Sequence, residues 1–171
     1  MRKPSELRDL LEKSVPELKR NPERLLVFID AGKVISTAVQ GLSFMYTYTL
    51  NLIITDFAGD EDAIIVPLLA WLRVNQPDHF LNEASQAEGI SFEVDLINNK
   101  AIDLSIRIQL TESVRVAIDE KPNKPGDYLA TITHLNEPPL VEDRPDITHW
   151  QLIIDGSTVA EWDTPHPFKV D

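Results

Sequence analysis

The stretch YTYTLNLIITDFAGDEDAIIVPLLAWLRVNQPD, Tyr46–Asp78, decides the fold. Tyr46, Tyr48, Leu50, Leu52 and Ile54 alternate with Thr47, Thr49, Asn51, Ile53 and Thr55, and the alternation already starts at Phe44. Period-two patterning of this length predicts a β-strand whose even-numbered face meets a core. Gly59 breaks it. Asp60, Glu61 and Asp62 follow, and acids suit a helix start because free backbone N–H groups and the positive end of the helix dipole meet them there. Ile64, Ile65, Leu68, Leu69, Trp71 and Leu72 then form a broad apolar face. Pro67 places the helix start near itself or kinks the helix, and Asn75-Gln76-Pro77 ends it. A strand, a tight acidic turn and an apolar helix in sequence predict an α+β domain.

Outward from this block the patterns continue. Pro4-Ser5-Glu6-Leu7 opens a helix with Leu7, Leu10, Leu11, Val15 and Leu18 on one stripe, and Pro16 kinks it or starts a second short turn. Leu25–Ile29 is a short apolar run, Asp30–Lys33 reads as a turn, and Val34–Val39 is strand or short helix. Residues 79–89 read as polar loop. Ile90, Phe92, Val94 and Leu96, then Ile102, Leu104, Ile106, Ile108 and Leu110, alternate with polar residues around Asn98-Asn99-Lys100, the signature of a β-hairpin. Across it Glu93 or Asp95 is placed to pair with Arg107. Val114–Ile118 and Tyr128–Thr133 read as two further strands.

Residues 135–148, with Pro138, Pro139 and Pro145 among acids, predict a stiff linker. Trp150–Trp162 around Asp155-Gly156 predicts a second hairpin, too small to stand alone, which must pack on the body or on a neighbour. The expected organisation is an α+β domain over 1–134, in which an antiparallel sheet packs with an N-terminal and an inserted helix. A linker over 135–148 and a hairpin arm over 149–171 follow.

The chain of 171 residues is 43% apolar and carries no cysteine, so disulfides and thiol chemistry are excluded. No apolar run approaches the length of a bilayer span, and the charged opening is unlike a signal sequence, so neither a membrane protein nor a secreted one is expected. The net charge of −12 is uneven. Residues 1–59 hold 8 Lys and Arg against 7 Asp and Glu, net +1; residues 60–171 hold 8 against 21, net −13. An acidic body argues against binding to phosphate backbones, which needs clustered cations.

No catalytic grouping emerges. His79, His134, His149 and His166 lack metal-ligand spacing and fall in or near predicted loops, where solvated histidines are the expectation. Asp60-Glu61-Asp62 lacks the oxygen spacing of a calcium loop and reads as a helix cap. Nucleophile-elbow, phosphate-loop and dinucleotide glycine patterns are missing, and the glycines punctuate element boundaries. Trp71 reads as core. Trp150 and Trp162 read as anchors, to the parent domain or to a neighbouring subunit.

The blocks LRDLLEKSVPELKRNPERLLVFID (Leu7–Asp30), GLSFMYTYTLNLIITDFAGDEDAIIVPLLAWLRVNQPD (Gly41–Asp78), the Phe92/Ile102–Leu110 hairpin with LTES (Leu110–Ser113), and LIIDGSTVAEWD (Leu152–Asp163) resemble the tail completion protein R family of P2-like contractile-tailed phages and prophages. The segment TDFAGD followed by VPLLAWLR and NQPD is the most specific part, and residues 113–148 depart most. The resemblance implies a structural, non-enzymatic protein without a cofactor. By fold-level analogy to tail terminators it implies a ring of about six copies. Such a ring sits at the top of the virion tail near the neck, after assembly in the host cytoplasm. Its implied partners are copies of itself, the tail tube or sheath protein below, and a head–tail connector or neck protein above. DNA passes through such a ring without specific binding, and no membrane is involved. On this reading Asp60, Glu61, Asp62, Glu93 and Asp95 are candidates for a lumen or ring face. Trp150, Leu152, Ile154, Val159 and Trp162 are candidate subunit-interface anchors.

Overall fold

A computed structural model describes residues 1–36, 41–81, 89–98, 101–121, 124–138 and 149–163. Helix α1 spans Lys3–Ser14; Val15 is extended, and Pro16 opens a separate short helix, α2, at Pro16–Arg20. A proline fits there because its ring fixes φ and its missing N–H is not needed in a first turn. After a 3-10 turn at Pro22–Arg24 comes strand β1, Leu25–Ser36. The expected turn at Asp30–Lys33 is instead a register shift between Ile29 and Ala31 inside one continuous strand. The extra residue swaps the faces, so Lys33 and Ile35 take the side that Leu26 and Phe28 occupy below the shift.

Strand β2, Phe44–Phe57, pairs antiparallel with β1 and with β4. Its even side chains Tyr48, Leu50, Leu52 and Ile54 are buried, as the alternation predicts. Helix α3 runs from Asp62 to Asn75, so it starts at the acidic turn and continues through Pro67. Buried Ala63, Ile64, Pro67, Leu68, Trp71 and Leu72 form one stripe. Packing of that stripe on the sheet outweighs the lost proline hydrogen bond. The expected loop at 79–89 begins with a further short helix, α4, Asp78–Leu81.

Strands β3 (Ile90–Asn98) and β4 (Ala101–Glu120) form the predicted hairpin, with Arg107 Nη1 at 3.1 Å from Glu93 Oε1. β4 is a single twenty-residue strand that absorbs the separately expected run Val114–Ile118. β5 (Tyr128–His134) pairs with its far end. The sheet order is β1-β2-β4-β3, with β5 beside β3 on the same flank of β4.

Strands β6 (His149–Ile154) and β7 (Ser157–Asp163) form a separate hairpin turning at Asp155-Gly156. Both turn residues have positive φ, 48° and 79°, as a tight two-residue hairpin turn requires. The core lies between one sheet face and the layer of α1, α3 and β7, where Leu7, Leu11, Val15 and Leu18 meet Leu50, Leu52, Ile106, Ile108, Ala160 and Trp162. The opposite sheet face carries no helix among the described residues.

Candidate assembly surfaces

Charge inside the fold is concentrated at one buried cluster. Glu112 falls on the core side of β4, between Leu110 and Val114, and is buried. Its carboxylate accepts the Tyr48 hydroxyl, the Arg2 N–H at 2.8 Å and the Lys3 N–H at 3.3 Å, and His134 Nδ1 lies 3.3 Å away. Buried Lys3 donates all three ammonium protons, to Gln76 Oε1 (2.9 Å), the Thr111 carbonyl (2.6 Å) and Glu137 Oε1 (2.8 Å). Burial opposes the Glu112 charge, yet hydrogen bonds from Tyr48, Arg2 and Lys3, with the terminal amine, outweigh it and hold its carboxyl below the ordinary value. Burial first, and then the Glu112 carboxylate, push the Tyr48 phenol far up, so it stays a donor. His79 is not a solvated loop histidine: it is buried in α4 with Nε2 at 2.6 Å from the Gln109 carbonyl. The Glu112 carboxylate and the Lys3 ammonium are satisfied, while His134 Nδ1 makes no hydrogen bond, and the cluster fastens the N-terminus, α4 and the residues after β5 onto β4. Glu112 was legible as a charge at an even position of an alternating strand; Lys3 had no such signal.

Among the described residues, two apolar surfaces lie on the helix side of the sheet without cover. On β3, Phe92 and Leu96 point to the helix side of the sheet, yet are 65% and 80% exposed because the helices stop short of this edge. The second lies beyond Val114, where β4 leaves β2 and continues with β5 as a two-stranded arm. Val116 and Ile118 face Ile132 and Ala130 there, continuing the core side of the sheet for about 20 Å with no helix over it among the described residues.

The candidate acids divide. Asp60, Glu61 and Asp62 are exposed on the turn into α3, where Asp60 Oδ1 accepts the Asp62 N–H at 2.9 Å. Glu93 and Asp95 are exposed on the open face of β3. Both groups sit at the sheet end where β2 finishes, but on different sides.

The hairpin anchors also divide. Trp162 is buried in the chain's own core and stacks on Trp150 at 6.0 Å between ring centroids. Leu152 and Val159 pack against that core, and Ile154 is half-buried at the turn end. Trp150 keeps 39% of its surface exposed. His149 bridges Asp163 (2.7 Å) and Glu161 (3.0 Å) on the outer side. His166 and residues 139–148 of the expected linker lie outside the described residues. Asn136 and Glu137, at its start, are held by Arg2 and Lys3.

Among the described residues no group of three or more His, Asp or Glu is placed to hold a metal ion, and no helix is long and apolar enough to cross a membrane. The family model for the P2 phage tail completion protein R (GpR) matches residues 1–138. The tail completion protein R of Escherichia phage P2 is 42% identical over 163 residues, covering 95% of this chain and 99% of that protein. The likeness therefore reaches through most of 113–148 and includes the C-terminal hairpin region. No solved structure matches the chain. From its N-terminal helix to the strands that carry the open edges, the chain belongs to the P2 phage tail completion protein R family.

Proposed function

We propose that this chain is a structural component of a contractile phage tail that caps the finished tail and prepares it for joining to the head. The observation that carries the reading is likeness to a tail completion protein over 95% of this chain and 99% of that protein. The fold supports it: the buried charges hold the structure together, while the open sheet face, the β3 edge and the β4–β5 arm offer docking area. Copies of the chain form a ring at the top of the tail, contact the tube or sheath below, and present a new face to a neck protein above. Capping occupies the growing end of a polymer, so it needs surfaces and not a reacting group.

Asp60, Glu61 and Asp62 lie on one side of the sheet and Glu93 and Asp95 on the other, and one of these two groups of exposed acids faces the channel, where repulsion keeps DNA from adhering to the wall. A ring structure with all five on the outer rim removes that role. The part of the hairpin left outside the core, led by Trp150, is a contact for the neighbouring subunit.

Electron microscopy of particles made without this protein tests capping. Unfinished or overlong tails without heads are expected, and normal tails that merely fail to join heads confine the role to joining. Labelled protein in finished particles should sit at the head-proximal tail end at fixed copy number. Its absence from finished tails would replace capping with a chaperone role.

A further inference from the structure

The main path of the sheet, β1-β2-β4-β3, has an even number of strands, each antiparallel to the next. Its two edge strands therefore run in opposite directions. Setting β3 of one copy beside β1 of another continues the same alternation without turning either copy over. Among the described residues no strand pairs with the outer side of β1 or β3.

The β3 edge is ready to pair. The Gln109 N–H donates to the Gly89 carbonyl at 2.9 Å, so residues in phase with Gly89, including Glu93 and Asp95, exchange backbone bonds with β4. The N–H and C=O groups of Phe92, Val94 and Leu96 consequently point outward.

Side chains at the two edges match. On the helix side, β3 offers Phe92, Val94 and Leu96, and β1 offers exposed Val34 beside Gly32. On the open face, Asp95 stands directly opposite Asp103, a like-charge pair that costs stability until a cation joins it. β1 carries exposed Lys33 on that same face.

We propose that copies of this chain join head to tail by antiparallel pairing of β3 with β1 of the next copy, with Lys33 opposite Asp95. In that register Val34 meets Val94, and Leu96 lies over Gly32, whose missing side chain leaves room for it. Strand direction, face and charge all agree between two surfaces of one chain, which is why the occupant is a second copy. The joint is heterologous and repeats, as a closed ring demands. It rests on the reading that the chain acts as an assembled cap.

Because the chain has no cysteine, Lys33→Cys and Asp95→Cys introduce the only thiols. Across the joint this pair is of the non-hydrogen-bonded kind, with Cα atoms about 4.5 Å apart, within disulfide reach. Mild oxidation of the double variant, in concentrated protein and in purified tails, should give a ladder of covalent multimers on a non-reducing gel, whereas the two single variants mixed should stop at a dimer. Phe92→Pro, which removes an outward N–H and no bond to β4, should raise the concentration needed for assembly about tenfold with unchanged circular dichroism. A multimeric wild-type protein with no ladder, or full assembly of Phe92→Pro, overturns the joint and leaves capping standing. A chain that is monomeric at high concentration and present once per tail overturns both.

Discussion

Glu112 shows how a single residue organises the interior. A carboxylate on the core side of a strand is costly unless it is fully hydrogen-bonded, and here four groups converge on it. Glu112→Ala should destabilise by about 3 kcal/mol in urea unfolding, because Tyr48 and two backbone N–H groups lose their acceptor. Its folded pKa lies below the unfolded value, so its contribution is complete above pH 4.5 and fades as pH falls through the lower folded value. Urea midpoints from pH 7 downward should therefore decline less steeply in Glu112→Gln than in wild type; parallel curves would count against this role. His149 moves the other way: hydrogen bonding and charge from Asp163, helped by Glu161, raise its pKa. Its stabilising effect is complete below the unfolded value of 6.5 and is lost as pH rises through the folded one. An NMR titration should place its midpoint above 6.5, and Asp163→Asn should bring it back down.

At the scale of elements, two short connections set the geometry. Between β2 and α3, a Cβ on Gly59 would lie 2.7 Å from Cζ of the buried Phe57 ring. Gly59→Ala must shift that ring and should cost about 1–3 kcal/mol, seen as a lower melting temperature. The β6–β7 hairpin depends on docking, since two strands alone are marginal in water. Trp162 inserts into the core beneath α1 and α3 and supplies that docking. Trp162→Ala should destabilise by about 3–5 kcal/mol and abolish the near-ultraviolet signal of its stack with Trp150. Unchanged stability would mean that the hairpin is not held by its own chain.

At the scale of the whole molecule, helices cover one face of the sheet, and among the described residues nothing covers its other face, both edges or the arm. A lone subunit thus exposes Phe92, Leu96, Ile118, Tyr128 and Ile132, apolar residues that neighbours bury in the proposed ring. Such a subunit should associate with concentration: sedimentation velocity is expected to show a shift from monomer to a closed species. A monomer at every concentration, with finished tails holding many copies, would mean that the tail itself templates the ring.

The alternation in Phe44–Ile54 and Ile90–Leu110 and the stripe in α3 were legible because they are local: period and face follow from backbone geometry alone. Residue-by-residue likeness likewise identified the family before any coordinates. Continuity of β1 and β4 was not legible, since a bulge resembles a turn until a partner strand supplies its bonds. Nor was the burial of His79 and Lys3, whose partners lie up to 134 residues away in sequence. The alternating pattern determined which residues of β3 face the helix side; only the tertiary structure decided that Phe92 and Leu96 go uncovered there. Periodicity reports which way a side chain points, whereas coverage depends on where other elements come to rest.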